Sequence, residues 1–276
     1  MTGATIARTG PDHRAAFRAA TFGDVLRSEW TKFRSVRSTF WALTVTVVLG
    51  IALGAVISAA AAHGYAKFSV AEKQSWDPTG VSQSGFLIAQ LAIAVLGVLC
   101  ISSEYSSGMI RTSLIAVPKR GRVLAAKSLV FAAATFVVGE ATSFTAFFAS
   151  QALIAGHAPH AGIGDPGVAR AVAGAGLALT VLAVLSVAAG TLLRHPAAAI
   201  AAMTAVLFVL PAIAQALPDS WRNPVTEFWP TQAGGQLASV HHFAHTLQPW
   251  PGFGVMCLFV AVAYAIAWTL LDRRDA

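Results

Sequence analysis

The chain has 276 residues, 56% of them hydrophobic and 11% charged, with a formal net charge of +7. That composition is too apolar for a soluble domain of this size and far from a disordered one. The positive charge lies in short segments between apolar runs, which points to a membrane surface and not to nucleic acid.

Residues 1–20 are polar and mixed, and are expected to form a flexible cytoplasmic N-terminus. Thr21, followed three residues later by Asp24, is a variant capping box that opens a helix over residues 21–39. Phe22, Val25, Leu26, Trp30, Phe33, Val36 and Phe40 recur at helical spacing, while Asp24, Arg27, Lys32, Arg34 and Arg37 occupy other faces. An amphipathic, basic, aromatic-bearing helix of this kind lies along the lipid surface. A plain cytoplasmic extension of the first span is the alternative.

Six apolar stretches follow, at about 40–62, 85–101, 128–149, 171–193, 197–217 and 252–271. A helix rises about 1.5 Å per residue, so about 20 apolar residues cross the hydrocarbon core, and only helices satisfy their own backbone there. The expected fold is all-α and polytopic, a six-helix transmembrane domain over residues 40–272. Ala60-Ala61-Ala62 resembles a signal-peptidase site. The apolar run before it exceeds the roughly 7–15 residues of a signal h-region, so it is read as a retained span.

Basic residues gather on one side. Arg8, Arg14, Arg18, Arg27, Lys32, Arg34 and Arg37 precede the first span. Arg111, Lys119, Arg120, Arg122 and Lys127 separate the second and third, Arg194 the fourth and fifth, and Arg273 and Arg274 follow the sixth. The opposite loops hold Lys67, Lys73, Arg170 and Arg222. Both termini are therefore expected in the cytoplasm.

The cytoplasmic loop 104–122 is short, basic and unusually apolar. Ser106 or Ser107 is placed to cap a short helix over residues 109–116, which Pro118 ends. Met109, Ile110, Leu114 and Val117 exceed what a plain connector needs, so something is expected to pack on it. The last external segment, 218–250, carries Trp221, Phe228, Trp229 and Trp250. Its Pro224, Pro230 and Gly234-Gly235 breaks suit two short helices dipping toward the membrane, or an extended surface loop.

Few residues suggest chemistry. None of the five lysines follows a glycine, so no Walker A phosphate cradle is present. His241, His242 and His245 make a weak metal signal without an adjoining carboxylate, and His157 and His160 read as solvated. Cys100 and Cys257 fall within spans and read as small packing residues. No nucleophile elbow or zincin motif occurs. Glu140 stands out, with Thr142, Ser143 and Thr145 beside it. It lies about 18 Å into the third span, where a carboxylate must be paired, protonated or hydrated. It marks a translocation pathway or proton-linked site, with Thr142 and Ser143 as further pathway residues, or else a hydrogen-bonded contact between helices. Gln90 and Gln215 carry less weight, as interhelical amides.

Three features together resemble the permease subunits of type-2 ABC exporters, the small bacterial kind encoded apart from their ATPase. They are the lead-in Leu26-Arg27-Ser28-Glu29-Trp30-Thr31-Lys32-Phe33-Arg34-Ser35, the loop Glu104-Tyr105-Ser106-Ser107-Gly108-Met109-Ile110-Arg111 with Pro118-Lys119-Arg120 and Lys127, and the enlarged external segment before the last of six spans. Met109 stands where the family more often has Thr.

The resemblance, over about residues 22–272, implies a multi-pass cell-membrane protein without enzymatic activity or a cofactor of its own. ATP and Mg are expected on a partner ABC ATPase. Glu104, Gly108, Met109, Ile110, Arg111 and Arg120 would belong to the element that docks on it, with Glu104 and Arg111 as polar anchors. A second copy or a paralogue would complete the pathway. The rival reading is an ion- or proton-coupled carrier using Glu140.

Overall fold

The computed structural model describes residues 21–117, 119–241 and 245–273. The expected flexible segment 1–20, Pro118, His242 and Arg274 lie outside the described residues. So do the side chains of Arg111 and Leu114, although both sit in a described helix.

The described chain is helical, with no strand. In order it forms α1 (Phe22–Ser35), α2 (Arg37–Gly64), α3 (Val70–Gln74), α4 (Pro78–Ser82), α5 (Phe86–Ser106), α6 (Met109–Ala116) and α7 (Arg120–Ile154). Then come α8 (Val168–Leu193), α9 (Pro196–Thr204), α10 (Leu210–Ala214), α11 (Asp219–Phe228), α12 (Pro230–Gly235) and α13 (Pro249–Arg273). Six segments are long and apolar enough to cross a membrane: Thr39–Lys67, Phe86–Ser106, Arg120–Ile154, Val168–Leu193, Pro196–Ala214 and Pro249–Arg273. The protein is a six-span membrane protein.

The start of α1 follows from local chemistry. The Thr21 hydroxyl accepts from the Asp24 amide at 3.3 Å, and the Asp24 carboxylate accepts from the Thr21 amide at 3.0 Å. Two orphan amides of the first turn are thereby satisfied. At the end of α5 the expected serine cap is not used. Ser106 and Ser107 instead donate back to the Ser103 carbonyl. Gly108, at φ +73°, turns the chain from α5 into α6. That left-handed geometry costs a side-chain-bearing residue about 1–2 kcal/mol.

Two spans differ from expectation. The third begins at Arg120, so Lys127, expected at its opening, lies two turns inside α7. The fifth is interrupted by a π-helical stretch, Ala205–Val209, ahead of Pro211. In π geometry the Val206 carbonyl needs a donor five residues on, which is Pro211 and has no N–H. The Trp229 indole supplies it, at 2.9 Å.

The central helix is α8, which packs against α7, α5, α13 and α9, while α2 covers α7 and α5. Apolar side chains gain little by leaving lipid, so close packing must hold the bundle. Small residues permit it. A Cβ on Gly97 would fall inside the Ser186 hydroxyl of α8, and one on Gly85 inside the Gly50 carbonyl of α2.

The helix ends sort into two groups. At one end α1, α6, the start of α7 and the end of α13 meet: the Arg120 guanidinium donates to the Leu271 carbonyl at 3.3 Å. This is the basic end. At the other, Trp76 donates to the Pro159 carbonyl and Arg170 to the carbonyls of Leu237 and Ser239. The segment 218–250 forms the two short helices α11 and α12, and α12 packs into the bundle against α13 and α8. The loop after α2 also sends α4 inward, with Thr79 and Ser82 buried, and Gln151 of α7 donates to Ser82 and to the Pro78 carbonyl.

Candidate functional site

At the basic end, four charged side chains converge beneath α1. The inward stripe of α1 carries Val25, Glu29 and the partly buried Phe33, four residues apart, so the spacing that turns the two apolar residues inward also buries Glu29. Lys127 reaches it from α7, and Glu104 from the last turn of α5. Lys127 Nζ lies 2.6 Å from Glu29 and 2.9 Å from Glu104. Lys32 Nζ lies 2.7 Å from Glu29, 3.2 Å from Glu104 and 3.3 Å from the Ser113 hydroxyl of α6. Glu29, Glu104 and Lys127 are each at most 5% exposed.

The four formal charges cancel, and every one has an opposite partner. That is the condition under which ions survive burial, because each loses several kcal/mol of hydration that only close pairing restores. Above them Val25, Ile110, Val123 and Ala126 form an apolar cluster joining α1, α6 and α7. Polar and apolar contacts thus fasten α6 to α1 and to two spans. The cluster itself ties α1, α5 and α7 together at the basic end.

Burial pushes the Glu29 carboxyl upward, but the charge and hydrogen bond of Lys127, supported by Lys32, outweigh that and hold it below the ordinary carboxylate range. A depressed carboxyl stabilises the folded state above its unfolded value, and that contribution is lost as pH falls through the folded value. Docking of α1 is therefore expected to be constant from neutral pH down to about pH 4 and to weaken only below it. A bimane on R34C in a cysteine-free background would report release of α1. Release between pH 7 and 5 would contradict the assignment.

The residues expected to couple to a partner divide by the way they face. Ile110 is 4% exposed and belongs to the internal apolar cluster, so it holds α6 in place and has little surface to offer. Met109 is 50% exposed and also lines a cavity beside the charged cluster, whereas Ile115, which the expectation did not include, points outward, 82% exposed, with exposed Thr112 between them. Gly108 is the turn, and Arg120 is engaged with the end of α13. Arg111 lies on α6 with its side chain outside the description.

Glu140 sits apart from the charged cluster, at the crossing of α7 and α8. Its Oε1 is buried without a hydrogen-bond partner, against Gly176, where a Cβ would stand 2.5 Å from that oxygen. Thr142 donates to its own Val138 carbonyl, and the buried Ser143 hydroxyl donates to the Val172 carbonyl of α8 at 2.6 Å. These two hydroxyls are spent within and between helices. The cavity beside the charged cluster is lined by none of Glu140, Thr142 and Ser143.

His63 and His157 stack at the opposite end, 4.3 Å between ring centroids, a pairing that no local spacing announced. Among the described residues no three His, Cys, Asp or Glu side chains gather as a metal site would need. No family model and no curated protein matches this chain.

Proposed function

We propose that this chain is the membrane-spanning permease subunit of an ATP-driven exporter, coupled through α6 to a separate ATPase. The observation that carries the reading is the outward apolar face of a helix braced from behind. Ile115 is presented away from the chain and Met109 is half-exposed at the mouth of a cavity beside the charged cluster, while Ile110, Ser113 and the Glu29–Lys32–Glu104–Lys127 cluster tie the same helix to α1, α5 and α7. A push on that face is delivered to three elements at once, which is what conversion of ATPase closure into helix movement requires.

On this reading the basic end is cytoplasmic, in keeping with the excess of Lys and Arg there. The membrane is the cell membrane. A second permease subunit, a copy or a paralogue, shares the pathway, and ATP and Mg bind only to the ATPase.

The test is affinity purification of the tagged protein from its native host in mild detergent, with ATP hydrolysis assayed on the eluate. Co-eluting hydrolysis that Ile115→Asp abolishes, with the permease still folded and inserted, supports the proposal. Equal hydrolysis from the variant removes α6 as the docking element.

A proton-coupled carrier is the second reading, favoured by the unpartnered buried oxygen of Glu140. In the exporter account that carboxyl serves the α7–α8 contact, so Glu140→Gln is expected to leave ATP-dependent transport within about twofold of the parent. Transport that survives ATPase loss, needs a proton gradient and vanishes in Glu140→Gln would establish the carrier instead.

A further inference from the structure

Beside the charged cluster lies a cavity of about 760 Å³, bounded by α1, α2, α5 and α7 and by Met109 of α6. Its walls include Val45 and Leu49 of α2, Ile88 and Leu96 of α5 and Phe131 of α7. Its charged end is made by Glu29, Lys32, Glu104 and Lys127, with Thr39 and Ser103 beside them. From Glu104 to Ile88 along α5 the lining runs about 24 Å. Val36, Val45, Leu49 and Leu99 on its walls are themselves part-exposed, so the cavity is a long groove open along one side, a shape that suits an extended chain.

The chemistry of the two ends differs. Along the walls an ionic group would lose its hydration and meet only aliphatic and aromatic carbon. At the charged end the four charges sum to zero and bind one another, and Lys32 already spends three donations on Glu29, Glu104 and Ser113. With no net charge there, an ionic head gains little attraction to offset its desolvation, while Glu104 Oε2, buried without a hydrogen-bond partner, is open to a neutral donor. A hydroxyl or amide head loses less and still finds partners. The Ser103 hydroxyl, which donates to the Leu99 carbonyl, keeps its lone pairs as acceptors.

We propose that this cavity binds a single-chain amphiphile with an uncharged hydrogen-bonding head, the head at the Glu/Lys cluster and the chain between α2 and α5. Occupancy would place the ligand against Glu29 and Glu104, which share Lys127 and Lys32, and Lys32 is the residue that reaches Ser113 of α6. As a statement about the transported substrate class it rests on the exporter reading. Binding itself needs no ATPase, so the two can fail separately.

Cys100 lines the cavity and Cys257 does not, which makes a thiol the natural reporter. The experiment uses the full chain carrying Cys257→Ser, purified without ATPase in phosphatidylcholine nanodiscs, where every bulk lipid has two chains. Labelling of Cys100 by N-ethylmaleimide is followed by mass spectrometry against increasing 1-dodecanol, dodecylammonium or dodecanoate. The expected result is labelling that dodecanol suppresses saturably, with the two charged analogues at least tenfold weaker. Two filling variants from facing helices, Ala92→Phe and the half-exposed Val45→Trp, are each expected to abolish the protection. Absence of labelling, absence of protection by dodecanol, or equal protection by a charged analogue would overturn the proposal. Co-purification of an ATPase, measured separately, bears on the exporter reading alone.

Discussion

Replacing Lys127 by methionine is expected to release α1 and to cost about 3–5 kcal/mol, the usual penalty for breaking a buried pair. Lys127 is 3% exposed and contacts both Glu29 and Glu104. Its removal leaves two buried carboxylates sharing Lys32, whose side chain is 33% exposed and so contributes a more hydrated charge. The apolar volume of methionine is close to that of the lysine stem, which isolates the electrostatic loss from a packing one. Removing Glu29 at the same time, as Glu29→Leu, restores neutrality by leaving the Lys32–Glu104 pair. The double variant is expected to recover at least about half of the lost stability, a coupling that a double-mutant cycle reads directly. Thermal unfolding in detergent measures it. A single variant within about 1 kcal/mol of the parent would show that the cluster does not hold α1.

The second large effect is expected at Gly85. A Cβ there would occupy the space of the Gly50 carbonyl oxygen, a backbone atom of α2 that no rotamer change can move. Gly85→Ala must therefore part α2 from α5, at a cost of about 3 kcal/mol or more, the upper end for overpacking. Gly254→Ala in α13, where a Cβ meets nothing within 4 Å, is the matched control and is expected to be neutral. Leu49, next to Gly50, and Ile88, three residues after Gly85, line the far end of the long cavity, so the same contact shapes that end. Gly85→Ala is then expected to widen access to Cys100 as well as to lower the unfolding temperature. Unchanged stability would mean that α2 and α5 do not approach as described.

Much of the architecture was legible because a bilayer leaves a chain few options. Six apolar runs of helical length became six spans. The Thr21–Asp24 pair opened α1 where local hydrogen bonding demands, and Met109–Ala116 formed the short helix expected between the second and third spans. What escaped were features set by partners distant in sequence. Arg120 and Arg122 read as loop residues, yet they begin α7, because the Leu271 carbonyl and the face of Trp268 give that first turn something to pack on. Pro211 inside an apolar run was a visible signal of a broken span. The compensating donor, Trp229, is 23 residues from the carbonyl it serves.

The charged cluster was half legible. Glu104 was expected only by resemblance, as an anchor of a docking loop and not as part of an internal cluster, and Glu29 could have been found from its place on the apolar stripe of α1, between Val25 and Phe33. Lys127 could have been found from its place within an apolar run. That these meet is a fact of the fold, since Glu29 and Lys127 are 98 residues apart. Glu140 shows the converse. Its place inside an apolar run was plain in the sequence, but only the crossing of α7 and α8 shows its carboxyl set against Gly176, with Ser143 committed to the Val172 carbonyl.

The most direct test of an α6 that docks on an ATPase is a photo-crosslinking amino acid placed at Ile115 in the native host. Identical substitutions at the buried Ile110 and at Phe40, which is 66% exposed on the first span, serve as controls. The account predicts an adduct from Ile115 to a polypeptide that binds ATP, an internal adduct from Ile110, and lipid adducts from Phe40. Lipid adducts alone from Ile115 would contradict it, since that face of α6 would then lie in the bilayer and transmit nothing.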